Sequence, residues 1–270
     1  MNWLNKYKEK HPARRCIFCG GNKVSREHLW SDWMAELFPE YADPNRVETY
    51  IVRNDKLFKN IKSETLDRPG LTFTKSIRAV CAPCNNGWMN TIEQAARPVL
   101  TPMFNSESLT LTEAMRDALA TWCAMKFMVA EHMRRDHHTT PEDVRRQFMN
   151  TKVAPDFFRI WALRCGDGGW ESGFSRNTAV VSLANKLPDG LSVRNTQSIT
   201  WGVGDVLFYH TATLIPNLHF GISPAVDGLS VQLWPRIPDD IAWPVGRRLH
   251  WREGMALAES IKDSMRAPWE

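Results

Sequence analysis

No apolar run in this sequence approaches the roughly 20 residues needed to span a bilayer. A membrane-spanning helix is therefore not expected. Basic residues crowd the start, MNWLNKYKEKHPARRC, but no apolar core follows them, so a secretory signal is not expected either. The expectation is a soluble cytoplasmic protein without a membrane partner. The chain also lacks internal repeats, heptad runs and low-complexity segments, which argues against a solenoid or a coiled coil. Excess charge of one sign is scarce, with a formal net of only +4.

That small excess is unevenly placed. Residues 1–100 hold 16 Lys/Arg and 11 Asp/Glu, a net of +5, and the remaining 170 residues have a net of −1. A polyanion such as nucleic acid would favour that arrangement, and so would an ordinary basic solvated surface. The lead-in carries Lys6, Lys8, Lys10, Arg14 and Arg15 around Trp3 and Tyr7. It reads equally as a phosphate-touching arm or as a solvated terminus.

Four of the six cysteines form two close pairs, Cys16/Cys19 and Cys81/Cys84. In an intracellular protein two C-x-x-C pairs point to metal rather than to disulfides. Four thiolates suit a structural zinc, which prefers a tetrahedron of S or N ligands. Gly20 and Gly21 let the first knuckle turn tightly. The 61 residues between the pairs exceed a ribbon finger's spacing, but loop closure entropy grows slowly with length. Cys123 and Cys165 stand alone among apolar neighbours and read as core residues.

Eight residues after Cys19 comes Glu27-His28, and Asn85 follows the second knuckle directly. The segments C-I-F-C-G-G, S-R-E-H-L-W and V-C-A-P-C-N-N-G-W-M-N, in that order, resemble the HNH (ββα-metal) endonuclease superfamily in its treble-clef form with a four-cysteine zinc. The resemblance covers about residues 14–100. It implies that Cys16, Cys19, Cys81 and Cys84 hold the structural zinc. It implies that His28 is the general base and that Glu27 and Asn85 hold a catalytic Mg²⁺ or Mn²⁺. Asn90 and Asn86 are further candidates for the family's last ligand.

The residue types suit that chemistry on their own terms. An imidazole can take a proton from water at neutral pH. A carboxylate and an amide oxygen are hard donors of the kind Mg²⁺ takes. Arg26, Lys75 and Arg78 flank these residues and are candidate nucleic-acid-binding side chains, as charge-assisted donors to phosphate; plain solvated charges would read the same way. Two departures from the family pattern stand out. The acid is Glu27 where Asp is frequent, and the strand stretch just before the second knuckle, 71–80, holds no Asn to orient the base. Only Thr72, Thr74 and Ser76 are offered there, with a backbone carbonyl as the alternative.

Beyond the knuckles the periodicity predicts helices over about 32–38, 86–100, 110–136, 141–149 and 252–265. Strands are expected over 71–80, 158–164, 178–183, 198–203, 206–214 and 229–234, with 40–70 mostly irregular. The expected fold class is α+β: an N-terminal treble-clef HNH module over 1–105, then helices and a mostly antiparallel sheet over 106–270. The second region would recognise substrate, form a homo-oligomer or answer an activating partner. His132, His137 and His138 lack a well-spaced carboxylate or cysteine, and Asp136-His137-His138 reads as an exposed helix-to-loop segment. Trp161, Trp170, Trp201, Trp234, Trp243 and Trp251 read mainly as core and sheet-face residues. The functional expectation is a metal-dependent endonuclease acting on nucleic acid, with DNA the leading substrate and restriction or host defence the leading setting. The alternative is a zinc-stabilised nucleic-acid-binding or regulatory protein without cleavage.

Overall fold

The computed structural model describes residues 14–38, 45–53, 61–69, 75–133, 138–166, 172–179, 195–222, 227–254 and 256–257. In chain order the first elements are β1 (Val24–His28), α1 (Asp32–Leu37), β2 (Asn45–Arg53), β3 (Ile61–Pro69) and β4 (Ser76–Cys81). A short helical turn Ala82–Cys84 and a π-helical turn Asn85–Met89 lead into α2 (Asn90–Phe104), β5 (Leu109–Leu111) and α3 (Glu113–Ala130). Then come α4 (Glu142–Thr151), β6 (Phe158–Arg164), β7 (Ser172–Ala179), β8 (Thr196–Val203), β9 (Val206–Thr213), β10 (Ser230–Trp234) and β11 (Ile241–Trp243). The chain is thus α+β with a mostly antiparallel sheet. It divides into two compact units, Met1–Glu27 with Ile77–Glu270, and His28–Ser76.

The larger unit is built on a five-stranded sheet in the order β10-β6-β9-β8-β7, antiparallel throughout. Its centre is rich in β-branched and aromatic residues, which fit a pleated buried surface. Gly204 and Asp205 join β8 to β9 in a two-residue turn between the paired Val203 and Val206. Gly204 has φ +56°, the positive-φ backbone that tight hairpins need.

Every residue of β8 and β9 is buried, because both faces of the sheet are covered. On one face α3 presents Trp122 to Trp201 and Phe208, with ring centroids 5.2 and 5.7 Å apart, and Phe127 to His210 at 4.8 Å. The alternate residues Trp161, Leu163, Leu207 and Tyr209 point the other way and meet Leu249 and Leu257. α3 starts where Thr112 caps it, accepting a hydrogen bond from Met115 N at 3.3 Å. Cys123 and Cys165 are fully buried, as their apolar neighbours predict. Trp161, Trp201, Trp234 and Trp243 are buried as well, and Trp170 lies outside the described residues.

The smaller unit holds α1 and the hairpin of β2 and β3. That hairpin pairs without a break from Asn45↔Pro69 to Arg53↔Ile61. In sequence this stretch reads as irregular with a few strand-like pieces, such as Thr49–Val52, because the flanks are charged and polar. In a two-stranded ribbon the backbone ladder sustains pairing where side-chain alternation is weak. At the neck of the unit Leu29 N donates to Lys75 O at 2.8 Å.

Other boundaries also differ from expectation. The helical stretch after the second knuckle begins at Ala82, kinks at Gly87 and runs through Pro98 and Pro102 to Phe104. β4 starts at Ser76, and the expected strand positions 71–74 lie outside the described residues. β7 covers Ser172–Ala179, and 180–194 lie outside them. Residues 251–254 and 256–257 are helical, and the rest of the expected last helix is likewise outside. No helix among the described residues is long and apolar enough to cross a membrane.

Candidate metal centre

The two C-x-x-C pairs meet in the larger unit. β1 follows the first knuckle and pairs with β4, which ends at Cys81. Ser25 Oγ donates to Val80 O at 3.1 Å, and Ile17 N donates to Ala79 O at 2.9 Å. That pairing brings Cys16 and Cys19 to Cys81 and Cys84 across 61 intervening residues. All four Sγ atoms lie within 4.8 Å of one another, and Cys19 and Cys81 are 3.5 Å apart. A zinc ion with Zn–S near ~2.3 Å fits sulfurs at such separations. The first knuckle is a tight turn: Gly20 N donates to Cys16 O at 2.9 Å and Cys16 N to Gly21 O at 2.8 Å. Gly21 N points at Cys19 Sγ, 3.4 Å away. A Cβ on Gly21 would stand 3.2 Å from that sulfur, so a glycine suits the turn.

The electrostatics of the cluster are compatible with a bound cation. Burial pushes the Cys84 thiol up, and Cys81, Cys16 and Cys19 push it further. Burial also raises Cys81, with Cys19 and Cys16 adding to it. Burial works the same way on Cys16, but the backbone N–H groups of Cys19, Cys81 and Phe18 outweigh it and bring that thiol to about 7. Thiols that obstruct one another's ionisation are the natural ligands of a divalent ion, which removes the conflict by binding all four as thiolates.

Elements far along the chain brace this centre. Phe18, between the first two cysteines, packs edge-on against Trp88 at 4.9 Å and against Phe148 of α4 at 6.3 Å. Trp88 and Phe148 close the triangle at 6.0 Å. Buried Arg145, also on α4, donates from Nε to Ile17 O at 2.9 Å and from its terminal nitrogen to Thr140 O. Lys152, just past α4, sits over the Trp88 ring at 4.7 Å. Burial lowers its ammonium, and the Cys84 thiolate opposes that shift. None of these supports has a local sequence signal, since Arg145 reaches across 128 positions.

The other residues singled out by the sequence are placed as follows. Along β1 and β4 the exposed positions are Arg26 and Arg78, while Glu27 is buried. Lys75 is half-buried in the smaller unit. Asn85 Nδ2 donates to Arg26 O at 3.4 Å, which brings the residue after the second knuckle beside the residue before Glu27. Asn86 is exposed; Asn90 is too, and it accepts from Gln94 Nε2 at 3.5 Å, one turn along its helix. Glu27 has a partner the sequence did not announce. Lys126 of α3, only 2% exposed, stands 2.7 Å from Glu27 Oε1 and 4.0 Å from Glu93 Oε1. A lysine on an apolar helical stripe was the one available hint. His28 belongs to the smaller unit, where its Nδ1 is 2.7 Å from Asp32 Oδ1. His132 is part-buried: burial first, then Arg145, drives its imidazole down to about 2. It stacks on His138 at 5.2 Å, and His137 lies outside the described residues. No protein-family model, curated protein or solved structure matches the chain.

Proposed function

We propose that this protein is a metal-dependent endonuclease of the HNH type, with a treble-clef scaffold held by one zinc on Cys16, Cys19, Cys81 and Cys84. One observation carries the reading. The strand that follows the first knuckle bears Glu27-His28, and Asn85 of the second knuckle bonds to that strand at Arg26 O, 3.4 Å away. An acid, a histidine and an amide are the residue types that metal-assisted phosphodiester hydrolysis uses. The substrate class is nucleic acid, DNA first, consistent with the basic N-terminal third and with exposed Arg26 and Arg78.

In this reading His28 takes a proton from water as the oxygen attacks phosphorus. The P–O bond to the leaving sugar oxygen breaks, giving one phosphomonoester end and one hydroxyl end. A divalent cation, when bound, supplies polarisation of the phosphate and stabilisation of the leaving oxygen. Glu27 and Asn85 offer it a carboxylate oxygen and an amide oxygen, hard donors that suit Mg²⁺ or Mn²⁺. Arg26, Lys75 and Arg78 provide charge for phosphate contacts. The cytoplasm, a restriction or defence setting, and an activating partner or second copy all belong to this reading as its working frame.

A second reading has its own observation. Lys126 already occupies one oxygen of Glu27, which favours a zinc-stabilised nucleic-acid-binding protein that has given up cleavage. Supercoiled plasmid and a mixed RNA, each with Mg²⁺ or Mn²⁺, separate the two when offered to the wild type and to His28→Ala, with zinc measured on both. Cleavage by the wild type alone, at equal zinc content, supports the nuclease. Retained nucleic-acid binding with no cleavage by either protein supports the binding module. Equal cleavage by both removes His28 from the chemistry.

A further inference from the structure

The nuclease reading leaves open what orients the histidine, since the stretch 71–80 before the second knuckle holds no Asn. The smaller unit answers from another direction. β1 ends at His28, the chain turns through Leu29–Ser31, and α1 begins at Asp32. Asp32 is the first residue of that helix, after Ser31 with φ −66° and ψ 143°. The turn returns the carboxylate to the imidazole, with His28 Nδ1 to Asp32 Oδ1 at 2.7 Å. Pairings this short belong to charge-assisted hydrogen bonds.

We propose that Asp32 is the positioning residue of the catalytic histidine: it holds the His28 proton on Nδ1 and fixes the ring, so that the lone pair stands on Nε2. The inference rests on the nuclease reading for its catalytic meaning, but its physical content does not.

Three arguments carry it. First, which ring nitrogen of a histidine is protonated is set by the bond the other makes, and a carboxylate accepts only. A carboxylate against Nδ1 therefore selects the Nδ1–H form. Second, a base that takes a proton from water needs an unprotonated nitrogen at a defined place, and loss of the orienting carboxylate in a His–Asp pair strands the proton on the wrong nitrogen. Third, Asp32 has little structural reason to face His28. Its side chain is 78% exposed and that of His28 is 34% exposed, a setting in which ion pairs contribute little to stability. The Asp32 carboxylate at a helix start would serve equally well turned to solvent.

The test joins a spectroscopic and a kinetic readout on the full chain. Wild type and Asp32→Ala are labelled with ¹⁵N-histidine, and the tautomer of His28 is read by NMR above the ordinary imidazole titration range. His28→Ala assigns the signal. Cleavage with Mn²⁺ is followed in parallel, and zinc content and thermal midpoint serve as controls. The expectation is an Nδ1–H tautomer in the wild type and a shift toward Nε2–H in Asp32→Ala. The variant should cleave about 10-fold to 100-fold more slowly at saturating substrate, a part of the roughly 100-fold to 10,000-fold that a general base contributes, with KM, zinc and midpoint unchanged. Asp32→Glu should recover part of both signals. An unchanged tautomer in Asp32→Ala overturns the proposal. So does a shifted tautomer with an undiminished rate. If the wild type cleaves nothing, the nuclease reading fails separately, and the tautomer still decides whether Asp32 governs His28.

Discussion

Lys126 Nζ stands 2.7 Å from Glu27 Oε1, and the two residues, 99 positions apart, are both buried. Two charges in that setting are tolerable only together, because each would otherwise be desolvated without compensation. Glu93, 4.0 Å from the same ammonium, adds a second carboxylate from α2. The pair therefore ties β1 and its proposed metal-binding carboxylate to α3, the longest helix among the described residues.

Breaking that pair from one side should be severe. Lys126→Met leaves Glu27 buried and unpaired, and a loss of about 3–5 kcal/mol is expected in urea unfolding. Lys126→Met combined with Glu27→Leu should recover most of it, since apolar replacement of a whole buried pair is often neutral. If Lys126→Met alone is as stable as the wild type, the pair is not a buried strut.

Arg145 links α4 to the first knuckle through Ile17 O. Outer supports of a metal site typically govern affinity by 10-fold to 100-fold. Arg145→Met should accordingly release zinc to a competing chelator about 10-fold more readily than the wild type. Equal release rates would show that the knuckle holds its shape without α4.

Acid sensitivity should trace in part to His210. Its ring lies between Phe127 and Phe158, and burial drives its pKa from 6.5 down to about 3. The folded state thus prefers neutral imidazole, and the unfolded chain takes up the proton first. Stability from this site is fully present above pH 6.5, declines as pH falls below that value, and stops declining below about 3. In His210→Phe the urea midpoint should fall less steeply across that window. An identical slope in the variant would assign the acid sensitivity to other groups.

The parts of this molecule that announced themselves were those with local rules. C-x-x-C spacing marked both knuckles, and their four sulfurs do meet within 4.8 Å. Helical periodicity marked α3, and aromatic and β-branched runs marked β8 and β9. What stayed hidden depends on distant partners. Lys126 could pass for a stripe residue of α3 because the carboxylate that explains it is on β1. Arg145 and Phe148 look like ordinary helix residues until α4 is placed against the knuckle. The β2–β3 hairpin was obscured by polar flanks, since a ribbon's ladder depends on backbone groups that every residue carries. Asp32 read only as a helix start, because its bond to His28 depends on how three intervening residues turn.

Loss of the metal should be a regional event within the larger unit. The four cysteines tie the first knuckle to the start of the helical stretch before α2, and Phe18, Trp88 and Phe148 pack around them. The sheet has its own apolar support, from Trp122 against Trp201 and Phe208 on one face and from Trp161 and Tyr209 on the other. Cys81→Ser removes one thiolate, so zinc content should drop from about one per chain to none. Hydrogen exchange should then quicken at Ile17, Gly20 and Met89, while amides of β8 and β9 keep their protection. This follows because local opening is governed by the contacts each region makes. Protection lost throughout β8 and β9 would mean that the thiolate cluster and the sheet fold as one cooperative body, and that zinc stabilises the whole unit rather than its knuckle.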